Sequence, residues 1–193
     1  MALDLQKISG LPISFDLKSL RLEFQGNFPF IKKSERSLGE LRPYLAAVGQ
    51  ARPNDCSVGR GLDPVYYVWR YVHLKNDNEK IKAADLRYDL TLIPPGTIDG
   101  EFVKTAGHYH LPYPEVHEVL YGRAYFLIQS FNKNQKNIKS VYLIEAGPDE
   151  KFVVPPGFGH NMINVFNEPL LTANWVSEKA VYDYESYKNN HGA

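Results

Sequence analysis

The sequence predicts an all-β fold of the sandwich or barrel kind. Three observations carry that expectation. From residue 64 onward, short segments rich in Val, Ile, Tyr and Phe follow one another. Clusters of Gly, Pro, Asn and Asp separate them. No helical period lies between them, as a parallel α/β sheet would require. Composition agrees, because aromatics make up 13% of the chain, with 13 Tyr and 10 Phe, and such residues suit a pleated, half-buried surface.

Each element follows in order. Residues 1–33 carry Pro12, Pro29 and scattered apolar side chains, which suits irregular structure or an edge strand. Ser37 and Glu40 have capping-box spacing, and Leu38, Leu41 and Leu45 share a helical face. Pro43 keeps any helix there short. The stretch 46–62 reads as a loop. Strands are expected over 65–73, 87–93, 101–105, 116–121, 124–130, 138–144, 151–154, 162–165 and 170–176. The intervening turns include Pro94-Pro95-Gly96, Asp99-Gly100, Asn132 to Asn137 and Pro155-Pro156-Gly157. The organisation is thus an arm with a short helical and loop extension over 1–62 that packs on a barrel, the barrel over 63–187, and a polar tail over 188–193.

Composition also excludes. Lys+Arg is 22 and Asp+Glu is 22, so nothing supports a basic nucleic-acid stripe or a polybasic membrane patch. Cys56 is the single cysteine, which leaves no disulfide framework and no Cys-rich zinc site. No run approaches the ~20 apolar residues of a membrane span, and the N-terminus lacks a signal peptide's apolar core. A cytoplasmic protein with a small-molecule partner is the expectation.

Three of the six His fall within residues 107–122 and a fourth is His160. In a strand, His108 and His110 project from one face, as two ligands of one ion must. Pro112 and Pro114 break the ladder and turn the chain. A carboxylate then follows at Glu115 or Glu118. Alternation alone leaves these two nearly balanced: Glu115 inward brings His117, Val119 and Tyr121 with it, and Glu118 inward brings Val116 and Leu120. His73 and His191 read as surface or ordinary core residues.

The segment G-H-Y-H-x4-E-x6-G at 107–122 resembles the first cupin motif from its two histidines onward. P-x-G-x2-H-x3-N, from Pro155 to Asn164, resembles the second. The leading glycine of each motif is off register, with Gly100 and Gly147 the nearest candidates. The resemblance implies a cupin double-stranded β-helix, a jelly-roll barrel with an ion inside, held by His108, His110, Glu115 and His160. Three nitrogens and one oxygen favour a divalent first-row transition metal over calcium or magnesium. Fe2+ is the first expectation, with Zn2+, Mn2+, Ni2+ or Co2+ as alternatives. Open coordination positions suit catalysis better than a purely structural role.

A narrower resemblance is carried by L-x-P-P-G-x3-G-E-F-x-K-T-x-G-H-Y-H, from Leu92 to His110. It is similar to the cupin-type, archaeal-style glucose-6-phosphate isomerases. Asp63-Pro64-Val65, Asp85-Leu86, Glu168-Pro169 and Asp183-Tyr184 support it. The resemblance implies a homodimeric aldose–ketose isomerase of glycolysis and gluconeogenesis. Thr91, Thr105, Gly107 and Tyr184 would surround the substrate phosphate, with Tyr67 nearby. Departures stand beside these matches. The family commonly has Tyr where this chain has His117, and His where it has Tyr182; at Val176 a family Tyr is missing.

The chemistry fits these residues. Isomerisation moves a hydrogen between C1 and C2 through an enediolate, whose charge a divalent ion stabilises. Glu115 is the nearest proton carrier, although a ligated carboxylate is a poor base. His117 is the second candidate, and a hydride shift needs no base on carbon. Strict alternation puts Thr105 and His108 on opposite faces, so a kink or bulge near Gly107 is expected if both reach the cavity. Lys104 is expected on the solvated side. A metal cupin oxygenase or decarboxylase, and a non-catalytic sugar-binding cupin, are the alternative functions.

Overall fold

The computed structural model describes residues 2–46, 64–131 and 137–192. Cys56, nearly all of the expected loop 46–62 and most of the turn 132–137 lie outside them. Strands and helices are numbered in chain order. β1 (Ala2–Asp4), β2 (Ile13–Asp16) and β3 (Arg21–Phe24) form a small sheet. A six-stranded sheet runs β13 (Lys151–Val154), β10 (Glu115–Tyr121), β15 (Leu170–Ser177), β6 (Leu86–Ile93), β5 (Tyr66–Arg70) and β4 (Lys32–Arg36). The facing sheet runs β12 (Ile138–Ala146), β11 (Ala124–Phe131), β14 (Phe158–Asn164), β8 (Glu101–Lys104) and β7 (Thr97–Ile98). β9 (His108–Leu111) lies beside β14, and β16 (Val181–Asp183) lies beside β9. All of these pairings are antiparallel. The architecture is the expected all-β one, two antiparallel sheets facing each other as in a jelly roll.

Side-chain alternation on the six-stranded sheet makes two cores. One face, with Ile93, Val119 and Leu170, packs on Val103, Phe126 and Ile128 of the facing sheet. The other face presents Trp69, Tyr88, Leu90, Leu92 and Leu171, which Leu5, Ile13 and Phe15 of the N-terminal segment cover. Being buried on both faces explains why Tyr88 to Ile93 are all buried. Register aligns three rows across the inner face: Glu115, Val176 and Arg87; His117, Asn174 and Asp89; Val119, Thr172, Thr91 and Val68. The inner face therefore passes from apolar at one end to charged at the other. A cavity opens at the charged end.

Several elements differ from expectation, for physical reasons. The N-terminal segment is strand-rich, but its strands of three and four residues are too short to show a period. Its β4 joins the barrel sheet rather than packing outside it. Helix α2 (Leu38–Leu41) carries the expected capping box from Ser37 and Glu40. Helices α1 (Gln6–Ser9), α3 (Asn78–Ala83) and α4 (Glu185–Asn189) span four to six residues, below the length at which an apolar stripe is readable. α4 docks through Tyr187, which is 1% exposed. β14 begins at Phe158, earlier than its glycines suggest. Gly159 sits within it because any Cβ there would meet the Tyr109 ring at 2.4 Å.

Candidate metal centre

β9 and β14 run side by side with His108 opposite His160. Residues 111–114 then carry the chain across to the other sheet, where β10 begins with Glu115 facing inward. The ligand-capable atoms of His108, His110, Glu115 and His160 all lie within 4.8 Å of one another. The alternation left open between the two glutamates resolves to Glu115, because Glu118 points away and pairs with Lys151 at 2.7 Å.

Hydrogen bonds set the direction of the ring lone pairs. His110 Nδ1 lies 3.0 Å from the Tyr113 carbonyl, so that nitrogen carries the proton. The other ring nitrogen, His110 Nε2, lies 2.7 Å from Glu115 Oε2. His160 Nε2 approaches the same oxygen at 3.2 Å. His108 Nδ1 is directed at the Ala106 carbonyl, 3.5 Å away, and its Nε2 is buried without a partner. Three imidazoles and a carboxylate whose ligand atoms converge on one point, one of them the unpartnered His108 Nε2, form a set that a divalent cation can bind. The donor set thus fits a first-row transition metal.

Protonation agrees with that fit. Burial, and then the neighbouring His160, push the His108 imidazole down to about 3. Burial also lowers His160, against the pull of Glu115. Burial opposes ionisation of Glu115, yet the facing His117 and His160 hold it well below the usual carboxylate range. A neutral imidazole at His108 and at His160 and an ionised carboxylate at Glu115 are the ligand forms of these groups.

The cavity beside this cluster has a volume of about 250 Å³. His117, Thr91, Thr105 and Tyr184 line it. His117 is 2% exposed, neither ring nitrogen has a hydrogen-bond partner, and Nε2 lies 3.6 Å from Glu115 Oε1. The expected irregularity near Gly107 is present. Against β14, Lys104 stands opposite Ile163, whereas His108 stands opposite His160. Four steps along one chain match three along the other, which is a one-residue bulge over 105–107. The Met162 N–H donates to Thr105 Oγ1 at 3.0 Å, so the Thr105 hydroxyl stands in for a ladder carbonyl and keeps its own proton to donate.

Three expectations are corrected. Tyr67 does not line the cavity. β5 turns Tyr66, Val68 and Arg70 inward, and Tyr67 stacks on Trp69 on the opposite face. Gly107 does not line it either; its open side is filled by the Tyr187 ring, 2.1 Å from where a Cβ would stand. Lys104 is 7% exposed and pairs with Glu101 rather than water.

Sequence reasoning missed the cavity's cations. Arg36, Arg70 and Arg87 all line it. Ser34 accepts a hydrogen bond from Arg70 at 2.8 Å, and Glu40 pairs with Arg36 at 3.0 Å. Arg87 pairs with Asp89 at 2.8 Å. Burial works against the Arg87 charge, but Asp89 and Tyr182 hold it on, above the ordinary range. The available signal was Arg87, Asp89 and Thr91 at period two in a strand otherwise apolar. Tyr182, marked only as a departure from the family, also lines the cavity, opposite His110 in the ladder.

The family model described as glucose-6-phosphate isomerase matches residues 46–193. Among similar curated proteins is the glucose-6-phosphate isomerase of Thermococcus litoralis, 29% identical over 168 residues, covering 86% of this chain and 80% of that protein. Those of Thermococcus kodakarensis and Pyrococcus furiosus are 30% and 31% identical, covering 84% and 79% of this chain and 79% and 74% of theirs. Among solved structures, an oxalate oxidase aligns at a TM-score of 0.42 and 18% identity, over 52% of this chain and 46% of that one.

Proposed function

The chain belongs to the glucose-6-phosphate isomerase family, as an aldose–ketose isomerase, and we propose that it interconverts glucose 6-phosphate and fructose 6-phosphate in the cavity beside Glu115. One observation carries this reading. A cluster suited to one divalent cation and three guanidinium groups share a cavity sized for a small metabolite.

His108, His110, Glu115 and His160 hold the ion. A divalent ion held there would supply Lewis-acid stabilisation of negative charge developing on substrate oxygen. Fe2+ is the preferred occupant, with Zn2+, Mn2+, Ni2+ and Co2+ as substitutes. Arg36 and Arg70 attract the phosphate dianion, and the hydroxyls of Thr91, Thr105 and Tyr184 donate to it. The apolar end, with Val68 and Met162, excludes water behind the sugar. His117 takes the proton from C2 of the aldose and returns it at C1, while the hydroxyl proton passes from O2 to O1, so that none is gained or lost overall. Its nitrogens lack other partners, and Glu115 Oε1 stands close enough to share the charge.

The test is a coupled assay of fructose 6-phosphate conversion by metal-loaded protein. Conversion is expected to stop on chelation and in Glu115→Gln, and to return with redox-inert Zn2+. His117→Phe is expected to lower kcat by about 10²–10⁴, with metal content unchanged and no solvent deuterium entering product. Deuterium-free product from the wild type points instead to a hydride shift. Activity only with redox-active ions favours an oxygenase or decarboxylase, and sugar binding without turnover favours a non-catalytic cupin.

The enzyme acts in the cytoplasm on the hexose phosphates of glycolysis and gluconeogenesis. No helix among the described residues is long and apolar enough to cross a membrane. We infer a homodimer. β12 is an edge strand on which Val141 is 54% and Leu143 is 59% exposed, and such edges invite pairing. Sedimentation velocity at micromolar protein is expected to give twice the chain mass; a single monomeric species contradicts it.

A further inference from the structure

Tyr182 is held in a way that packing does not require. It sits on β16, paired with His110 of β9, and its ring lies 5.2 Å from His108 and 5.8 Å from His110 between centroids. Its hydroxyl reaches across the cavity to the other sheet. There Arg87 Nη2 donates to it at 3.0 Å. The same guanidinium gives its Nε–H to both Asp89 oxygens, at 2.9 and 2.8 Å. Asp89 in turn accepts the Tyr71 backbone N–H at 3.2 Å. The Arg87 guanidinium also stands over the Tyr71 ring, 5.6 Å from its centroid. The arginine is fixed from three sides.

The direction of that hydrogen bond has a chemical consequence. A phenol O–H prefers the plane of its ring, with two positions open to it. An arginine can only donate, so it occupies one position and leaves the proton the other. The phenol becomes a donor of fixed direction beside the four-residue cluster. This is the arrangement that stabilises an oxygen gaining negative charge without reorganising at the moment of reaction.

We propose that Tyr182 is a catalytic residue that donates a hydrogen bond to the substrate oxygen on which charge develops, and that Arg87 and Asp89 are positioning residues that aim it. The proposal rests on the isomerase reading. The phenol keeps its proton throughout, so no bond to hydrogen is broken in this role. Arg87 then serves the reaction through Tyr182 more than through contact with the substrate phosphate.

The test uses the metal-loaded full chain. Tyr182→Phe is expected to lower kcat for fructose 6-phosphate by about tenfold to hundredfold. KM is expected to stay within about threefold, and metal content to stay unchanged. Affinity for 5-phosphoarabinonate, whose carboxylate mimics the charged enediolate, is expected to fall by a similar factor in calorimetry. Arg87→Met is expected to reproduce the kcat loss, and Arg87→Lys to recover part of it. The double variant is expected to be no slower than Tyr182→Phe alone.

Wild-type kcat and wild-type analogue affinity in Tyr182→Phe overturn the proposal. Losses from Arg87→Met that multiply with those of Tyr182→Phe overturn the positioning role and place Arg87 on the substrate. Where Arg87→Met fails to fold, Arg87→Lys and Tyr182→Phe decide between these outcomes. A wild type without turnover defeats the isomerase reading alone. The calorimetric arm then still decides the fate of Tyr182, and a wild type that fails to bind the analogue overturns it too.

Discussion

Asp89 shows how far a single residue departs from its behaviour in water. Burial pushes its carboxyl up to about 6, and Arg87 pulls in the opposite direction. An acid with a raised folded-state pKa favours folding while protonated, and that contribution is lost as pH rises. The window runs from the ordinary value of 3.8 to about 6. The difference corresponds to roughly 3 kcal/mol. Urea unfolding of wild type and Asp89→Asn across pH 4 to 7 reads it directly. The stability of wild type relative to the variant is expected to fall over this window and to level off above it. A constant difference means that Arg87 holds the carboxylate at its ordinary value. Legibility at this scale was uneven. The clustered histidines His108, His110 and His160 were readable because they fall in motifs of fixed spacing. Arg36 and Arg70 were not, since a lone arginine on a strand has no spacing to reveal it, whereas Arg87 shares a period-two pattern with Asp89 and Thr91 in an otherwise apolar strand. Tyr67 was misplaced by one residue in a run of two tyrosines, where period-two alternation turns a one-residue slip into the opposite face.

The decisive element is the bulge between β8 and β9. Alternation already demanded it, because Thr105 and His108 share a cavity that a regular ladder would deny one of them. What alternation left hidden was the reason for the glycine. Gly107 makes room for Tyr187, a residue of the C-terminal helix some eighty positions later, rather than for a ligand. Gly107→Ala is expected to cost about 1–3 kcal/mol by overpacking, read from the urea midpoint. Tyr187→Ala in the same chain is expected to relieve part of that cost. A midpoint equal to wild type contradicts the close approach. The short helices α1, α3 and α4 escaped notice for a different reason. Each is stabilised by what it docks on, and none by a pattern within its own few residues.

At the scale of the molecule, one twisted sheet has two jobs. Its outer face is sealed by the N-terminal segment through Leu5, Ile13 and Phe15. Its inner face grades from Ile93 and Leu170 to Arg87, Asp89 and His117. The sealed face lets the strands be rigid, and rigid strands hold imidazoles and carboxylate at ligand distance without help from loops. The strand-rich barrel and the histidine spacings were legible in the sequence, because periodicity and spacing are local; the choice between Glu115 and Glu118 was not, since alternation left the two balanced. The cover over the outer face was not, because it depends on contacts between distant segments. The account stands on the cluster as a working cation site. Its most direct test is the isomerisation rate against the number of Mn2+ ions bound per chain, starting from chelated protein. Rate is expected to rise in proportion to bound ion and to level off at one per chain, with neither binding nor turnover in His160→Ala. A rate indifferent to metal content, or full binding by His160→Ala, would contradict it.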